Sequence, residues 1–368
     1  MTFIAFSDQH LGSKLYNSPE LENDNRKLFT KVIDLCIELQ PDYLVSVGDL
    51  FDNNKPSSDL IEFVASELRR LHSAYKTRAV AIAGDHSKPV DGHTWEKICG
   101  FSHIATVPEF AGVDYSDNPE DVLQQLNMEL NRRERDSVEF IFMHQQIPEL
   151  WPFCDDKKKI SLKDLDFSKH CNSLKGIFLG DIHIRREMRY LDPICNREVF
   201  VGYCGSLGVT ASNETNKPGI YYWNEGELQL IAYELPRQYV TLNVTADNLN
   251  SFKEADFQEK YADSPTRPVF ICCHSAEVSK NLDQLNFLYR LGIVRFSKTR
   301  TNETTEEEYI NIRSELKTEE RISEVLKAMT NGKENSDQLY TLSYKLLTNQ
   351  DPTVVLDEVK IKLLDQNV

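Results

Sequence analysis

Five apolar segments of this chain each run into a short turn that carries aspartate, histidine or both. The turns are Asp8-Gln9-His10, Gly48-Asp49-Leu50-Phe51-Asp52, Gly84-Asp85-His86, His144 and Gly180-Asp181-Ile182-His183. Polar side chains that follow neighbouring strands share one crevice at the carboxyl edge of an open α/β sheet. The pattern therefore predicts an α/β protein with one polar cluster at a sheet edge.

The segments before these turns are predicted to be buried strands, because their hydrophobicity is uninterrupted. They cover residues 2–6, 43–47, 79–83, 138–143 and 176–179. Between them, Phe29, Val32, Ile33 and Cys36 indicate an amphipathic helix, and Ser57 or Ser58 can cap a second helix that runs to about Tyr75. Later strands at 198–206, 219–223 and 227–235 are typical of antiparallel hairpins. We expect residues 1–235 to form a sandwich of two mixed β-sheets flanked by helices.

The pattern changes after Pro236. Strands are predicted at 239–244, 268–273 and 293–297, with a helix at 281–290, so residues 236–300 are expected to form a small α+β domain. Residues 299–307 are polar and acidic, which is typical of a linker. Residues 308–368 are predicted to form a helical tail of three short amphipathic helices.

Composition limits the possible functions. The formal net charge of −16 argues against a non-specific coat protein for nucleic acid, which needs a basic surface. No apolar run approaches membrane-spanning length, so we expect no membrane partner. The eight cysteines show no C-x-x-C spacing, and we expect them to be reduced in the cytoplasm, in a bacterium or a phage-infected cell.

The residue types in the five turns indicate a metal site. Carboxylates and imidazoles without cysteine suit Mn²⁺, Mg²⁺, Fe or Zn²⁺ in open, catalytic coordination, and they argue against a closed structural zinc site. Each turn alone is a weak signal, but five in this order, each at a strand end, form a strong one.

The order of these motifs resembles that of the calcineurin-like metallophosphoesterases, D-x-H, G-D-x-x-D, G-N-H, H, G-H-x-H. Residues 8–12 and 48–52, with Tyr203-Cys204-Gly205-Ser206, resemble SbcD and the meiotic-recombination-eleven nucleases in particular. The resemblance implies a metal-dependent DNA exonuclease and endonuclease for repair and recombination. It also implies that residues 236–300 are a capping domain and that the tail binds an SbcC-like ATPase of the SMC family. A homodimer formed through the region of the second helix and the segment after the third motif is implied as well.

Carried over by position, the resemblance implies two divalent cations, with Mn²⁺ favoured and Mg²⁺ as the alternative. The first cation would be held by Asp8, His10, Asp49 and His183. The second would share Asp49 and be held by Asp85, His144 and Asp181. His86 would serve as the catalytic proton donor or charge stabiliser beside the scissile phosphate.

Two positions depart from the family pattern: Asp85 stands where the family has Asn, and Asp181 stands where it has His. The second site is then either a variant richer in hard oxygen ligands or a damaged one, and introduced substitutions are a third explanation. Arg185, Arg186 and Arg189 follow the last motif and could contact DNA phosphates or form surface salt bridges. Lys157-Lys158-Lys159 is interpreted as a solvated loop.

Two other functions stay open at this point. The chain could be a phosphatase or small-molecule phosphodiesterase on the same fold, although such an enzyme needs neither a capping domain nor a tail. It could also be a non-catalytic subunit that binds DNA ends and organises the ATPase, and Asp85 and Asp181 are the features that favour this alternative.

Overall fold

The computed structural model of the protein describes residues 1–87, 94–155, 157–209, 218–275 and 277–298. These residues form six α-helices and fourteen strands. The helices are α1 (Pro19–Leu39), α2 (Ser58–Ala74), α3 (Trp95–Cys99), α4 (Pro119–Arg132), α5 (Glu254–Tyr261) and α6 (Leu288–Leu291). The predicted tail and the predicted linker fall outside the described residues.

The first of two large sheets has six strands in the order β11-β10-β1-β2-β3-β4. These are β1 (Thr2–Phe6), β2 (Tyr43–Val47), β3 (Arg78–Ile82), β4 (Ser102–His103), β10 (Gly219–Asn224) and β11 (Glu227–Ala232). Strands β1 to β4 are parallel, whereas β10 is antiparallel to β1 and to β11.

The second large sheet has five strands in the order β5-β6-β7-β9-β8. These are β5 (Phe110–Gly112), β6 (Phe140–Met143), β7 (Gly176–Leu179), β8 (Arg186–Asp192) and β9 (Arg197–Tyr203). Only the β8–β9 pair of this sheet is antiparallel among the described strands. The predicted α/β sandwich of two mixed sheets is thereby confirmed.

Successive side chains of a strand point to opposite faces of the sheet, and this alternation divides the core into layers. Phe3 and Val45 face the second sheet, where they meet Phe140, Phe142 and Phe178. Intervening residues such as Ile4 and Leu44 face α1 and α2 instead. The sheets are therefore packed face to face, and helices cover the outer face of the first.

Helix α2 shows how its sequence defines both its start and its buried face. The Ser57 hydroxyl accepts a hydrogen bond from the Leu60 backbone N–H, which caps the helix. The apolar stripe is then buried within this chain, at Leu60, Val64, Leu68 and Leu71. The stripe therefore does not by itself require a partner, and the homodimer stays a prediction.

A third sheet follows residue 235. It has the order β12-β13-β14, formed by β12 (Tyr239–Val244), β13 (Val269–His274) and β14 (Ile293–Lys298). Val269 and Ile271 pack with Leu21 of α1. The strands lie where the sequence predicts them, but the predicted helix at 281–290 is wrong. That segment contains a 3₁₀ turn at Leu282–Leu285 and the short α6 instead.

The expectation that all cysteines are reduced is also wrong. Cys171 and Cys195 form a disulfide with a Cα–Cα distance of 5.1 Å. It joins the loop before β7 to the turn between β8 and β9. The other six cysteines form no disulfide, and four of them are buried. In the described part of the chain, no helix combines the length and the hydrophobicity that crossing a bilayer requires.

Candidate metal centre

The polar turns of both large sheets meet at one edge of the sandwich. Asp8, Asp49 and Asp85 follow the parallel strands β1, β2 and β3, while His144 and Asp181 follow β6 and β7. Because parallel strands present their carboxyl ends at the same edge, these side chains come together although they are far apart in the sequence.

The backbone is left-handed at four of the polar residues. The φ angles are 51° at Asp8, 47° at His10, 51° at Asp49 and 81° at Asp181. Non-glycine residues rarely adopt such angles, although Asp and His tolerate them better than most. Backbone strain of this kind gathers at functional sites, where the surrounding structure holds it in place.

Glycine is required at two positions of the site, because neighbouring atoms approach the backbone closely there. A Cβ added at Gly84 would overlap the Asp49 carboxylate, and a Cβ at Gly180 would overlap the Val47 carbonyl oxygen and the His144 ring. The glycines that the sequence places before Asp85 and Asp181 therefore let the polar turns pack against one another.

The structure brings all seven predicted ligands together with His86 in four overlapping groups. In each group, one ligand atom per residue lies within 4.8 Å of the others. The groups are Asp8-His10-His183, His10-Asp49-His86, Asp8-Asp49-His144 and Asp85-His144-Asp181. Asp8, His10, Asp49 and His144 each belong to two groups, so the four groups form one continuous cluster.

His144 is oriented by a backbone hydrogen bond. Its Nδ1 donates to the Val47 carbonyl oxygen over 2.8 Å, so Nε2 is the nitrogen that faces the carboxylates. Nε2 lies 3.3 Å from Asp49 Oδ2 and 3.5 Å from Asp85 Oδ1. This buried Nε2 has no hydrogen-bond partner among the described residues. Burial of an unpartnered nitrogen is costly, and a cation would satisfy it.

The imidazoles of His10 and His183 also face each other in a way that fits a bound cation. Their Nε2 atoms lie 3.1 Å apart, and His10 is almost fully buried. Burial, together with the neighbouring His183, lowers the pKa of His10 well below its usual value. Two imidazole nitrogens that face each other at this distance suit a shared metal ion. The residues Asp8, His10, Asp49 and His183 therefore fit the first predicted cation.

The pKa values of Asp8 and Asp85 are shifted in opposite directions. Burial raises the pKa of Asp8 to about 6, although His144 and His183 act against it. Burial also acts to raise the pKa of Asp85, but His144 and Lys158 lower it well below its usual range. Asp85 is therefore anionic at neutral pH, and Lys158 is part of the reason.

Lys158 also belongs to the site, although the sequence does not predict it. Its Nζ lies 2.7 Å from Asp85 Oδ2 and is also ion-paired with Asp181 Oδ1. Burial would lower the pKa of Lys158, but Asp181 and Asp85 raise it. The interpretation of residues 157–159 as a solvated loop is wrong for Lys158, whose side chain is 22% exposed.

His86 lies at the exposed side of the cluster. Its ring centroid is 4.7 Å from that of His10, and its Nδ1 is 2.5 Å from the Asp52 carbonyl oxygen. Nδ1 therefore donates to that carbonyl, which leaves Nε2 for exchange of a proton. The backbone N–H of His86 donates to Asp49 Oδ1 over 2.9 Å and so connects the two turns.

The three arginines after the last motif lie against aromatic rings. Arg185 lies over Tyr221, Arg186 over Trp151 and Arg189 over Phe200, with distances of 5.9, 4.7 and 5.8 Å to the ring centroids. Trp151 itself is buried, as core packing predicts. Contact of these arginines with DNA stays a prediction.

The comparisons with known proteins agree with this geometry. Residues 1–185 match the model of the calcineurin-like phosphoesterase family. The DNA double-strand break repair protein Mre11 of Methanococcus maripaludis is 26% identical over 234 residues, which cover 58% of this chain and 59% of that protein. Mre11 of Sulfolobus acidocaldarius is 36% identical over 89 residues, which cover 24% and 23% of the two chains. This chain thus spans less than two thirds of either relative.

Among solved structures, a dimetal phosphatase from Danio rerio is 12% identical with a TM-score of 0.39, over 64% of this chain and 99% of that one. This likeness is too low to bear on function. The family match covers half of the chain, and it includes every polar turn described above. The chain belongs to the calcineurin-like phosphoesterase family.

Proposed function

We propose that this protein is a metal-dependent DNA nuclease that hydrolyses phosphodiester bonds as part of a DNA repair complex. The observation that carries the proposal is the group formed by Asp8, His10 and His183 next to Asp49, which offers oxygen and nitrogen ligands at one sheet edge. Similarity to two Mre11 proteins supports DNA as the substrate. Mn²⁺ is the favoured cation and Mg²⁺ the alternative, because the resemblance implies them and the carboxylates of Asp8 and Asp49 suit both ions.

The chain's own residues supply the remaining parts of the reaction. Asp8, His10, Asp49 and His183 would hold a divalent cation, which would supply positive charge that polarises a phosphate oxygen and lowers the pKa of water. His86 lies beside this group and carries the proton for the leaving oxygen, because its Nδ1 is fixed on the Asp52 carbonyl and its Nε2 remains for exchange. The left-handed turns hold the ligands in place before the substrate binds.

The test is cleavage of end-labelled duplex DNA and single-stranded DNA by the purified chain, with Mn²⁺, Mg²⁺ or a chelator. A nitrophenyl phosphodiester and a nitrophenyl phosphomonoester are assayed in parallel. We expect cation-dependent cleavage of DNA and of the diester. Turnover of the monoester without cleavage of DNA would favour a phosphatase and contradict the proposal.

A second candidate function is a non-catalytic subunit that binds DNA ends. The ion pairs of Lys158 with Asp85 and Asp181 favour it, because they use carboxylates that the resemblance assigns to a cation. DNA-end binding without cleavage, under every cation condition and with the ATPase present, would support this alternative.

We propose that an SbcC-like ATPase binds residues 308–368, which lie outside the described residues. Truncation after residue 307 should abolish co-purification with that ATPase and preserve hydrolysis of the nitrophenyl phosphodiester. We also propose a homodimer in a cytoplasmic repair complex. A monomer at micromolar concentration in sedimentation would contradict the homodimer.

A further inference from the structure

The position assigned to the second cation is faced by an ammonium group from the chain itself. Lys158 Nζ is 2.7 Å from Asp85 Oδ2 and contacts Asp181 Oδ1. These are the two residues that depart from the family pattern, and they lie 73 and 23 positions away from the lysine. The carboxylates and the ammonium therefore form one ion-paired unit.

The loop that carries Lys158 is fixed to the end of β6. Gln146 donates its backbone N–H to the Lys158 carbonyl over 2.9 Å, and the Ile160 N–H donates to the Gln146 carbonyl over 2.9 Å. The Lys158 N–H donates to the Asp155 carbonyl, again over 2.9 Å. Because the main chain is held on both sides of the lysine, its side chain enters the cluster from a defined point.

Gln146 also fixes one of the carboxylates. Its Nε2 donates to Asp181 Oδ2 over 2.5 Å, and its Oε1 accepts a hydrogen bond from the Asp155 N–H over 2.6 Å. The Asp181 carboxylate is thus engaged at both oxygens, by Lys158 and by Gln146. A cation that bound Asp181 would have to share a carboxylate oxygen with one of these two contacts.

The charges also favour the ammonium over a divalent cation. Asp85, Asp181 and Lys158 have side chains that are at most 22% exposed, so water screens them weakly. A divalent cation on the same oxygens would lie a few ångströms from the ammonium, and repulsion in so buried a site is strong. The first group differs, because Asp8 and His10 are faced by the imidazoles of His144 and His183.

We propose that the Lys158 ammonium takes the place of the second cation, so that each chain binds one divalent cation, on Asp8, His10, Asp49 and His183. The inference rests on the proposed function for that first site. Asp85 and Asp181 then act as counter-ions of the lysine. The Lys158 ammonium then places a fixed single positive charge beside the first cation. At the same position the resemblance implies a second, exchangeable divalent cation.

The test is the number of Mn²⁺ ions bound per full-length chain, measured by equilibrium dialysis with elemental analysis and by electron paramagnetic resonance. We expect one ion in the wild type and the signal of an isolated Mn²⁺. In Lys158→Ala, the released carboxylates and His144 should admit a second ion, with the signal of a coupled pair. The matched control is Lys157→Ala, an exposed neighbour in the same loop, which should bind one ion.

Removal of a buried ion-pair partner can unfold a protein. Lys158→Gln is therefore the second variant, because it keeps hydrogen-bond donors near both carboxylates and lacks the charge. It should also bind two ions. Two ions in the wild type, or one ion in a folded Lys158→Ala or Lys158→Gln variant, would overturn the inference. Absence of any bound ion would overturn the proposed metal site as well. One bound ion per wild-type chain without cleavage of DNA would overturn only the proposal that the protein is a nuclease.

Discussion

The guanidinium of Arg237, just before β12, is ion-paired with the Asp24 carboxylate of α1, and both side chains are more than nine-tenths buried. Arg237 Nη1 also lies 3.0 Å from Glu20 Oε2 and donates to the Arg267 carbonyl over 2.8 Å. The pair therefore connects α1 to the start of the third sheet through a site with little water.

Arg237→Ala should lower the free energy of unfolding by about 3–5 kcal/mol, because it removes the buried partner of the Asp24 carboxylate. Of the cations in the residues that the structure describes, only the half-exposed Lys27 ammonium, 3.4 Å from Asp24 Oδ1, then remains as an ion-pair partner. Urea denaturation followed by circular dichroism measures the change. The control is Arg69→Ala, whose partner Glu62 is 70% exposed, and it should cost less than about 1 kcal/mol. Equal losses in the two variants would contradict the role given to burial.

His183→Ala tests the first cation site. The variant removes one of the two Nε2 atoms that face each other across 3.1 Å. We expect DNA cleavage to fall by more than about 100-fold, since even partners of metal ligands are worth 10–100-fold. Mn²⁺ affinity should fall in parallel while the circular dichroism spectrum is unchanged. His72→Ala, at an exposed position of α2, is the control and should cleave like the wild type.

Gly180→Ala tests the close packing of the polar turns. The added Cβ would collide with the Val47 carbonyl oxygen and the His144 ring, so one of the two turns must move. We expect a loss of about 1–3 kcal/mol in the free energy of unfolding, as for other overpacked sites, together with weaker binding of Mn²⁺. In Gly176→Ala the new Cβ approaches only side-chain atoms, the nearest of them at 3.3 Å. Binding of Mn²⁺ at wild-type affinity by Gly180→Ala would show that the turn tolerates a side chain.

Glu96→Gln should change how stability depends on pH. Burial raises the pKa of Glu96 from 4.5 to about 7, against a smaller opposing effect of Ser87. Between pH 4.5 and pH 7 the unfolded chain has released a proton from this carboxyl group that the folded chain still holds. The stabilising contribution of Glu96 is therefore present in full below pH 4.5 and is lost as the pH rises through 7. Above pH 7 the glutamine variant avoids this cost, which amounts to about 3 kcal/mol.

We therefore expect Glu96→Gln to melt near the wild-type temperature at pH 5 and several degrees higher at pH 8.5, as measured by calorimetry. Glu38→Gln, on the exposed face of α1, should show no such pH-dependent difference. A glutamine variant that is less stable than the wild type at pH 8.5 would mean that a specific contact of the carboxylate outweighs its burial.

Much of the fold could be predicted because its signals are local. The strands that precede Asp8, Asp49 and His144 are uninterrupted apolar runs, and a strand of this kind ends where its polar turn begins. Strand β8 could not be found in this way. It runs from Arg186 to Asp192 along a sheet edge and alternates exposed residues with partly or fully buried ones. Its many charged residues make it look like a loop in the sequence.

Lys158 and the disulfide could not be predicted, because both depend on long-range proximity. In the sequence, Lys158 is one of three consecutive lysines, and its partners are known only once the ends of β3, β6 and β7 are brought together. Cys171 and Cys195 are 24 residues apart and show no motif spacing. The expectation of reduced thiols rested on the cellular compartment, whereas the pairing depends on where two loops lie.

The left-handed backbone at Asp8, His10, Asp49 and Asp181 has an evolutionary consequence. Among residues with a side chain, Asn, Asp and His are the ones that such backbone accepts most readily. They are also common ligands of hard and borderline metal ions. A single substitution among them can therefore alter the charge of the pocket without disturbing the turn that presents it. A scaffold of this kind allows a lineage to change its metal complement in small steps while the architecture stays constant.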